Sequence, residues 1–288
     1  MLTTRISKTT RPSIPMKTRN NVMDDMEPEL EQYQFGDNIV AFSTTRHGGA
    51  SKGNYGELNI NPYCGDDPQD VNTNLKALCH TLEIPTDRLI LPHQTHQTVC
   101  RAITPAFFSL SEAEKKEYLE GVDAVMTDMT DVCVGVSTAD CIPLLYYDTE
   151  HKAVAAVHAG WRGTLAGIAT KALDAMAQQY GTQPGKVKIM IGPGISLKNF
   201  EVGDEVYELF AQAFPFIRFM SKRFDKWHLD LQVCNRLQLL HASARLENIV
   251  MSSICTFDQA DRFFSARRLG ADSGRIYNGI MKKGDSSK

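Results

Sequence analysis

The residues best suited to chemistry gather where an apolar run ends. Val157-His158-Ala159-Gly160-Trp161-Arg162-Gly163 brings a histidine, a tryptophan, an arginine and two glycines together at that point. If a helix opens there, its free backbone amides favour an anion. Taken alone, His158 reads as a hydrogen-bonded core residue and the glycines as a tight turn. Cys141, directly after Asp140, opens another apolar run at the same kind of boundary. A lone buried cysteine is usually a small, inert hydrophobe. Its spacing from His158 changes that reading: 17 residues accommodate two strands of about seven residues each and a short turn at 148–152. Such a hairpin would put Cys141 beside His158.

A thiolate and an imidazole at neighbouring strand ends suit zinc, which needs only a third protein ligand to keep one position open. His93 and His96 in Pro92-His93-Gln94-Thr95-His96 form the pool for that ligand, and spacing does not choose between them. Without a metal, Cys141 and His158 are the pairing of a thiol nucleophile with its base, so a cysteine hydrolase or amidase competes. Copper is the other alternative for such a donor set, with phenol oxidation as its chemistry. A four-copper oxidase cluster, however, draws on about ten histidines, and the chain has eight.

The elements that must position these residues are legible as patterns. Apolar runs at 132–137, 141–147 and 153–157 predict a buried, β-rich region. Thr164 is expected to cap a helix whose apolar positions 165, 168, 169, 172, 173, 176 and 177 form one face, ended by Gly181. Further helices are expected at 67–82, 111–119, 203–213 and 229–244, and strands at 186–191 and 249–255, with 88–102 extended. Without a long Gly, Pro or Ser linker, or an internal repeat, the fold class is α+β: a single domain of mixed β-sheets flanked by helices. Residues 1–30 are read as a flexible N-terminal tail and 31–288 as one catalytic domain.

Composition bounds the function. The chain has 288 residues, 42% hydrophobic and 23% charged, in the ordinary globular range. A net charge of −3 gives no general attraction to nucleic acid or to a membrane surface, and neither is expected as a partner. Residues 1–23 hold five basic and no acidic residues but no apolar core, so they do not read as a secretory signal. The seven cysteines are scattered and form no C-x-x-C, which suits a reducing, cytoplasmic location.

Several motifs occur in a fixed order: Thr45-Arg46-His47-Gly48-Gly49, Gln94-Thr95-His96, Gly121-Val122-Asp123-Ala124, Ala139-Asp140-Cys141-Ile142-Pro143, His158-Ala159-Gly160-Trp161-Arg162-Gly163, Ile191-Gly192-Pro193-Gly194 and Phe263-Phe264-Ser265-Ala266-Arg267-Arg268. Together, over roughly 42–280, they resemble the laccase-domain or polyphenol-oxidase-named family of purine nucleoside phosphorylases, with its YfiH-type and YlmD-type members. The resemblance implies a zinc held by His96, Cys141 and His158, and phosphorolysis of adenosine, inosine and methylthioadenosine, with adenosine deaminase activity in the same site. The substrates implied are thus purine nucleosides and phosphate. A zinc with an open position would supply the deaminase chemistry. Phosphorolysis needs an oriented phosphate, for which Arg46 is the first candidate and Arg162 the second. Asp123 and Asp140 are candidates for proton donation to the leaving base or for orienting a histidine ligand. Gln97 stands where family members usually carry Gly, and its side chain is expected to narrow the pocket or touch the substrate.

Overall fold

The computed structural model describes residues 26–284; the basic segment 1–23 lies outside the described residues. Within the described residues, Glu29 is tied to the body of the fold. The Glu29 carbonyl accepts from the Thr45 amide at 2.9 Å, and its carboxylate meets Arg262 at 2.8 Å.

Strands β1 (Leu30–Tyr33), β2 (Ile39–Thr44), β3 (Leu89–Ile90), β4 (Cys100–Ala102), β5 (Ala124–Thr127), β6 (Cys133–Thr138), β7 (Ile142–Asp148), β8 (Val154–Ala159), β9 (Val187–Ile191), β10 (Glu201–Val202), β11 (Ser221–Arg223), β12 (Trp227–Leu229), β13 (Ile249–Met251) and β14 (Ile276–Lys282) form three sheets. The first runs β1-β2-β14-β6-β3 and the second β13-β9-β7-β8-β5-β4; β10-β12-β11 is a small third. The two large sheets are antiparallel at their centres and carry parallel outer pairs, β3 on β6, β13 on β9 and β4 on β5. The expected mixed sheets are therefore present.

The helices are α1 (Pro68–Leu82), α2 (Glu112–Tyr118), α3 (Trp161–Leu165), α4 (Ile168–Tyr180), α5 (Asp204–Ala213), α6 (Leu231–His241) and α7 (Ala266–Leu269). Strand periodicity explains the layering, because successive side chains point to opposite faces. On β7, Leu145 and Tyr147 face the first sheet, where they join Val134, Val136 and Ile280 in one core. Leu144 and Tyr146 point the other way, against Ile168, Ala172 and Met176 of α4. On the far side, Phe42, Cys133 and Tyr277 pack on Leu78 and Leu82 of α1. The result is helix, sheet, sheet, helix, with the middle strands β6, β7 and β8 buried along their whole length.

One expectation is corrected. Thr164 is not a helix cap: it lies inside α3, buried, and accepts from Asn235 Nδ2 at 3.0 Å. The helical stretch breaks at Gly167, whose φ of 76° is left-handed, and α4 begins beyond it. Among the described residues, no helix is long and apolar enough to cross a membrane.

Candidate metal centre and pocket

The β7–β8 hairpin builds the site first. Its turn is closed by Asp148 Oδ1, which accepts from the amides of Glu150 at 2.8 Å and His151 at 3.1 Å. The register sets Pro143 opposite His158 and Ile142 opposite Ala159, so Cys141, just before β7, meets His158 as its spacing implied. The third donor comes from the loop between β3 and β4. It is His96, held at a left-handed φ of 63° that is uncommon for a residue with a Cβ. The donor atoms of His96, Cys141 and His158 all lie within 4.8 Å of one another.

Asp123 ties two of these ligands together. Its Oδ1 accepts from His158 Nδ1 at 2.7 Å and from the His96 amide at 3.0 Å. Oδ2 accepts from the amides of Gln97 at 2.8 Å and Thr95 at 3.3 Å. The Asp123 carbonyl also takes the His158 amide at 2.8 Å. One buried carboxylate therefore fixes the imidazole that leaves His158 Nε2 toward the cluster and clamps the loop that carries His96.

The electrostatics follow from this packing. Burial would raise the Cys141 thiol, but His158 and then His96 outweigh it and hold it at about 6. Burial would likewise lower His158, yet Cys141 and Asp123 raise it to about 9. Asp123 itself is drawn down, against its burial, by His158 and the loop amides. A thiolate at neutral pH is both a metal ligand and a nucleophile. Two imidazoles and one thiolate fit a borderline-soft metal ion with a position left over. Gly160 keeps this space clear: a Cβ there would stand 3.0 Å from both Cys141 Sγ and His96 Cδ2.

The other sequence candidates fall elsewhere. Asp140 does not face the cluster with a spare carboxylate; Oδ1 accepts from Thr256 Oγ1 and Oδ2 from the Arg267 amide, each at 2.7 Å. With its φ of 87°, it anchors the chain just before Cys141. The Arg46 guanidinium donates to the carbonyls of Gly56 and Ala260, both at 2.7 Å, and lies over the Phe264 ring. Arg162 rests on Trp161, 4.2 Å from its ring. His93 joins no ligand cluster; its Nδ1 meets both Glu120 carboxylate oxygens at 2.8 and 3.0 Å. Gln97 is exposed and uses its backbone on Asp123, and its side chain does not line the pocket.

The three ligands open onto a pocket of about 280 Å³ whose wall includes Asn61, Tyr63, Gln94, Ser137 and Arg275. Sequence reading gave these residues no role at a site. Gln94 was visible only as part of a motif, yet its amide clamps Ser137 through the Ser137 carbonyl at 2.8 Å and amide at 2.6 Å. The Ser137 hydroxyl is buried and finds no partner among the described residues. Asn61 and Tyr63 sit in the loop between Leu58 and Gly65, where the alternating Leu58 and Ile60 are buried and these two residues after them are left to the pocket.

Residues 40–283 match the family described as multi-copper polyphenol oxidoreductase laccase. The chain is 44% identical over 247 residues to a purine nucleoside phosphorylase of Bacteroides thetaiotaomicron, spanning 85% of this chain and 92% of the relative. It is 38% identical over 261 residues to a protein of an unknown prokaryotic organism named adenosine deaminase RL5, spanning 88% and 99% of the two. The crystal structure of YlmD from Geobacillus stearothermophilus superposes with a TM-score of 0.81 at 29% identity, over 90% of this chain and 100% of that one. The match takes in every segment that builds the His96, Cys141 and His158 cluster, and the chain belongs to the multi-copper polyphenol oxidoreductase laccase family, in which it stands beside relatives named as purine nucleoside phosphorylases.

Proposed function

We propose that this protein is a zinc-dependent purine nucleoside phosphorylase. It cleaves adenosine, inosine and methylthioadenosine with phosphate to free base and the corresponding ribose 1-phosphate, which keeps the methylthio group in the last case, and deaminates adenosine in the same site. The observation that carries this reading is the His96, Cys141 and His158 cluster at the pocket, with Asp123 locking one imidazole; the names of the relatives supply the substrate class. His96, Cys141 and His158 hold the metal, which when bound supplies Lewis acidity.

The chain's own groups divide the remaining work. Asp123 orients His158 and the His96 loop and carries no proton to the substrate. Asp140 positions Cys141 through its ties to Thr256 and Arg267. Arg275 takes the phosphate role by its position in the pocket wall, which Arg46 does not share; its guanidinium also donates to backbone carbonyls, those of Ala271, Ser273 and Gly274, and must turn from them to present its forked donors to phosphate oxygens. Orienting phosphate against the anomeric carbon is the main catalytic demand of such a reaction.

Two other readings have physical support. The thiolate held at about 6 beside His158 is the arrangement of a cysteine hydrolase, which would keep its activity after chelation. Copper fits the same donors, with phenol oxidation as the signature, but among the described residues there is one such donor group, which does not make a multi-copper cluster.

The test is base release from inosine and adenosine by purified protein, with and without phosphate, beside Cys141→Ala and with bound metal quantified. We expect release to require phosphate, and the variant to lose metal and at least about 100-fold of the activity. Base release that survives both chelation and Cys141→Ala would overturn the reading.

A further inference from the structure

The pocket beside the ligand cluster is walled largely by polar groups, and among its lining residues Tyr63 alone is a Tyr, Phe or Trp. Tyr63 is 42% exposed, so core packing does not account for it. Its ring is nonetheless fixed. The Tyr63 amide donates to Asn61 Oδ1 at 2.7 Å, and Tyr55 Oη donates to the carbonyl of the next residue, Cys64, at 3.0 Å. One face of the ring lies on the imidazole of His93, centroids 4.3 Å apart and planes 29° from parallel. His93 is pinned in turn by Glu120, whose two carboxylate oxygens lie 2.8 and 3.0 Å from Nδ1. Side chains from three separate segments thus hold one aromatic surface at the edge of a polar pocket.

We propose that Tyr63, backed by His93 and Glu120, is the shelf on which the purine base stacks. The inference rests on the nucleoside reading above and adds to it the residue that recognises the base. A nucleoside has a polar half, the ribose with its phosphate partner, and a flat π-faced half. The polar wall of the pocket suits the first. The second needs an aromatic surface, which gains affinity by stacking and tolerates either adenine or hypoxanthine because both present the same kind of face. A ring already immobilised by His93 gives up little entropy when the base arrives. The same contacts explain why His93, which spacing offered as a metal ligand, is absent from the cluster: its Nδ1 belongs to Glu120 and its face to Tyr63. Tyr63 is a specificity residue on this account, and His93 and Glu120 are positioning residues.

The experiment measures binding of free adenine and of ribose 1-phosphate by calorimetry, with KM and kcat for inosine, in wild type, Tyr63→Leu, Tyr63→Phe and His93→Ala. We expect Tyr63→Leu to weaken adenine and raise KM for inosine about 10-fold, with kcat and ribose 1-phosphate affinity held within about twofold. Tyr63→Phe restores the wild-type values, and His93→Ala weakens adenine by about threefold as the shelf loosens. Adenine binding unchanged in Tyr63→Leu, or parallel loss of adenine and ribose 1-phosphate, overturns the inference and leaves the nucleoside reading standing. Wild-type protein that binds neither compound and cleaves no nucleoside overturns that reading, and the shelf with it.

Discussion

Asp123 shows how a single residue organises chemistry it does not perform. With four acceptor contacts on its carboxylate, it leaves His158 one orientation and the His96 loop one path. The consequence reaches Cys141, whose thiol is held at about 6 against the pull of its own burial. The sign is therefore that of a lowered acid. In chelator-treated protein, alkylation of Cys141 by iodoacetamide should climb as pH rises through about 6 and level off near neutrality, whereas an ordinary thiol is half ionised only near pH 8.5. Cys79, Cys133 and Cys234 give no background, since burial pushes each up to about 12. In His158→Ala the larger favourable neighbour is gone and only His96 still opposes burial, so the Cys141 profile should move to higher pH. Peptide mapping by mass spectrometry reads both profiles; a wild-type midpoint near 8.5 would sink this account of the cluster. At this scale the sequence was informative where spacing carried geometry, as for Cys141 and His158. It was silent on Arg46, because nothing in the chain order says that a guanidinium will spend its donors on the Gly56 and Ala260 carbonyls.

Elements bring the ligands together, and glycine sets how close they come. The hairpin β7–β8 could be read in advance because its apolar runs and its Asp148 turn are local signals. The path of His96 could not, since it depends on a loop that leaves β3 in the first sheet, is clamped by Asp123 and enters β4 beside β5 in the second. The α3–α4 break escaped detection for a related reason: the apolar face runs on through Leu165 and Ile168, and only the left-handed Gly167 reveals the division. Gly160 lies just before α3, as its cap, and a methyl group there meets sulfur and imidazole at 3.0 Å. Those neighbours are the ligands themselves, His96 held at its amide by Asp123 and Cys141 following the anchored Asp140, so they have little room to yield. Gly160→Ala should then retain a cooperative fold, with a melting temperature within a few degrees of wild type, yet bind metal at least about 10-fold more weakly. Circular dichroism with a competitive zinc titration separates the two effects. Wild-type zinc affinity in this variant would mean that the cluster is looser than the distances imply.

Across the whole molecule, the last strand completes what the first ones begin. β14 lies between β2 and β6, pairing Ile280 with Ala41 on one side and with Val134 on the other. The first large sheet is therefore open at its centre until the end of the chain is in place. The same strand sends Tyr277 across to donate to the Ile90 carbonyl at 3.1 Å and Ile280 into the core shared with the second sheet. Asn278 secures β6, donating to the Val136 carbonyl at 3.2 Å and to Thr138 Oγ1 at 3.0 Å, two residues before Asp140. Loss of this strand would expose the edges of β2 and β6, uncover the layer between the sheets, and free the segment that leads to Cys141. A chain stopped after Arg275 should consequently show no cooperative thermal transition and no stoichiometric zinc, although it retains all three ligand residues. Fully burying a large apolar side chain contributes about 1.5–3 kcal/mol, β14 buries Ile276, Tyr277, Ile280 and Met281 completely, and their loss is comparable to a domain's net stability of about 5–15 kcal/mol. Calorimetry of the truncated chain beside the full one decides the matter: a sharp transition with one zinc bound would show that the second sheet and its helices stand alone, and that the site belongs to them rather than to the four-layer fold.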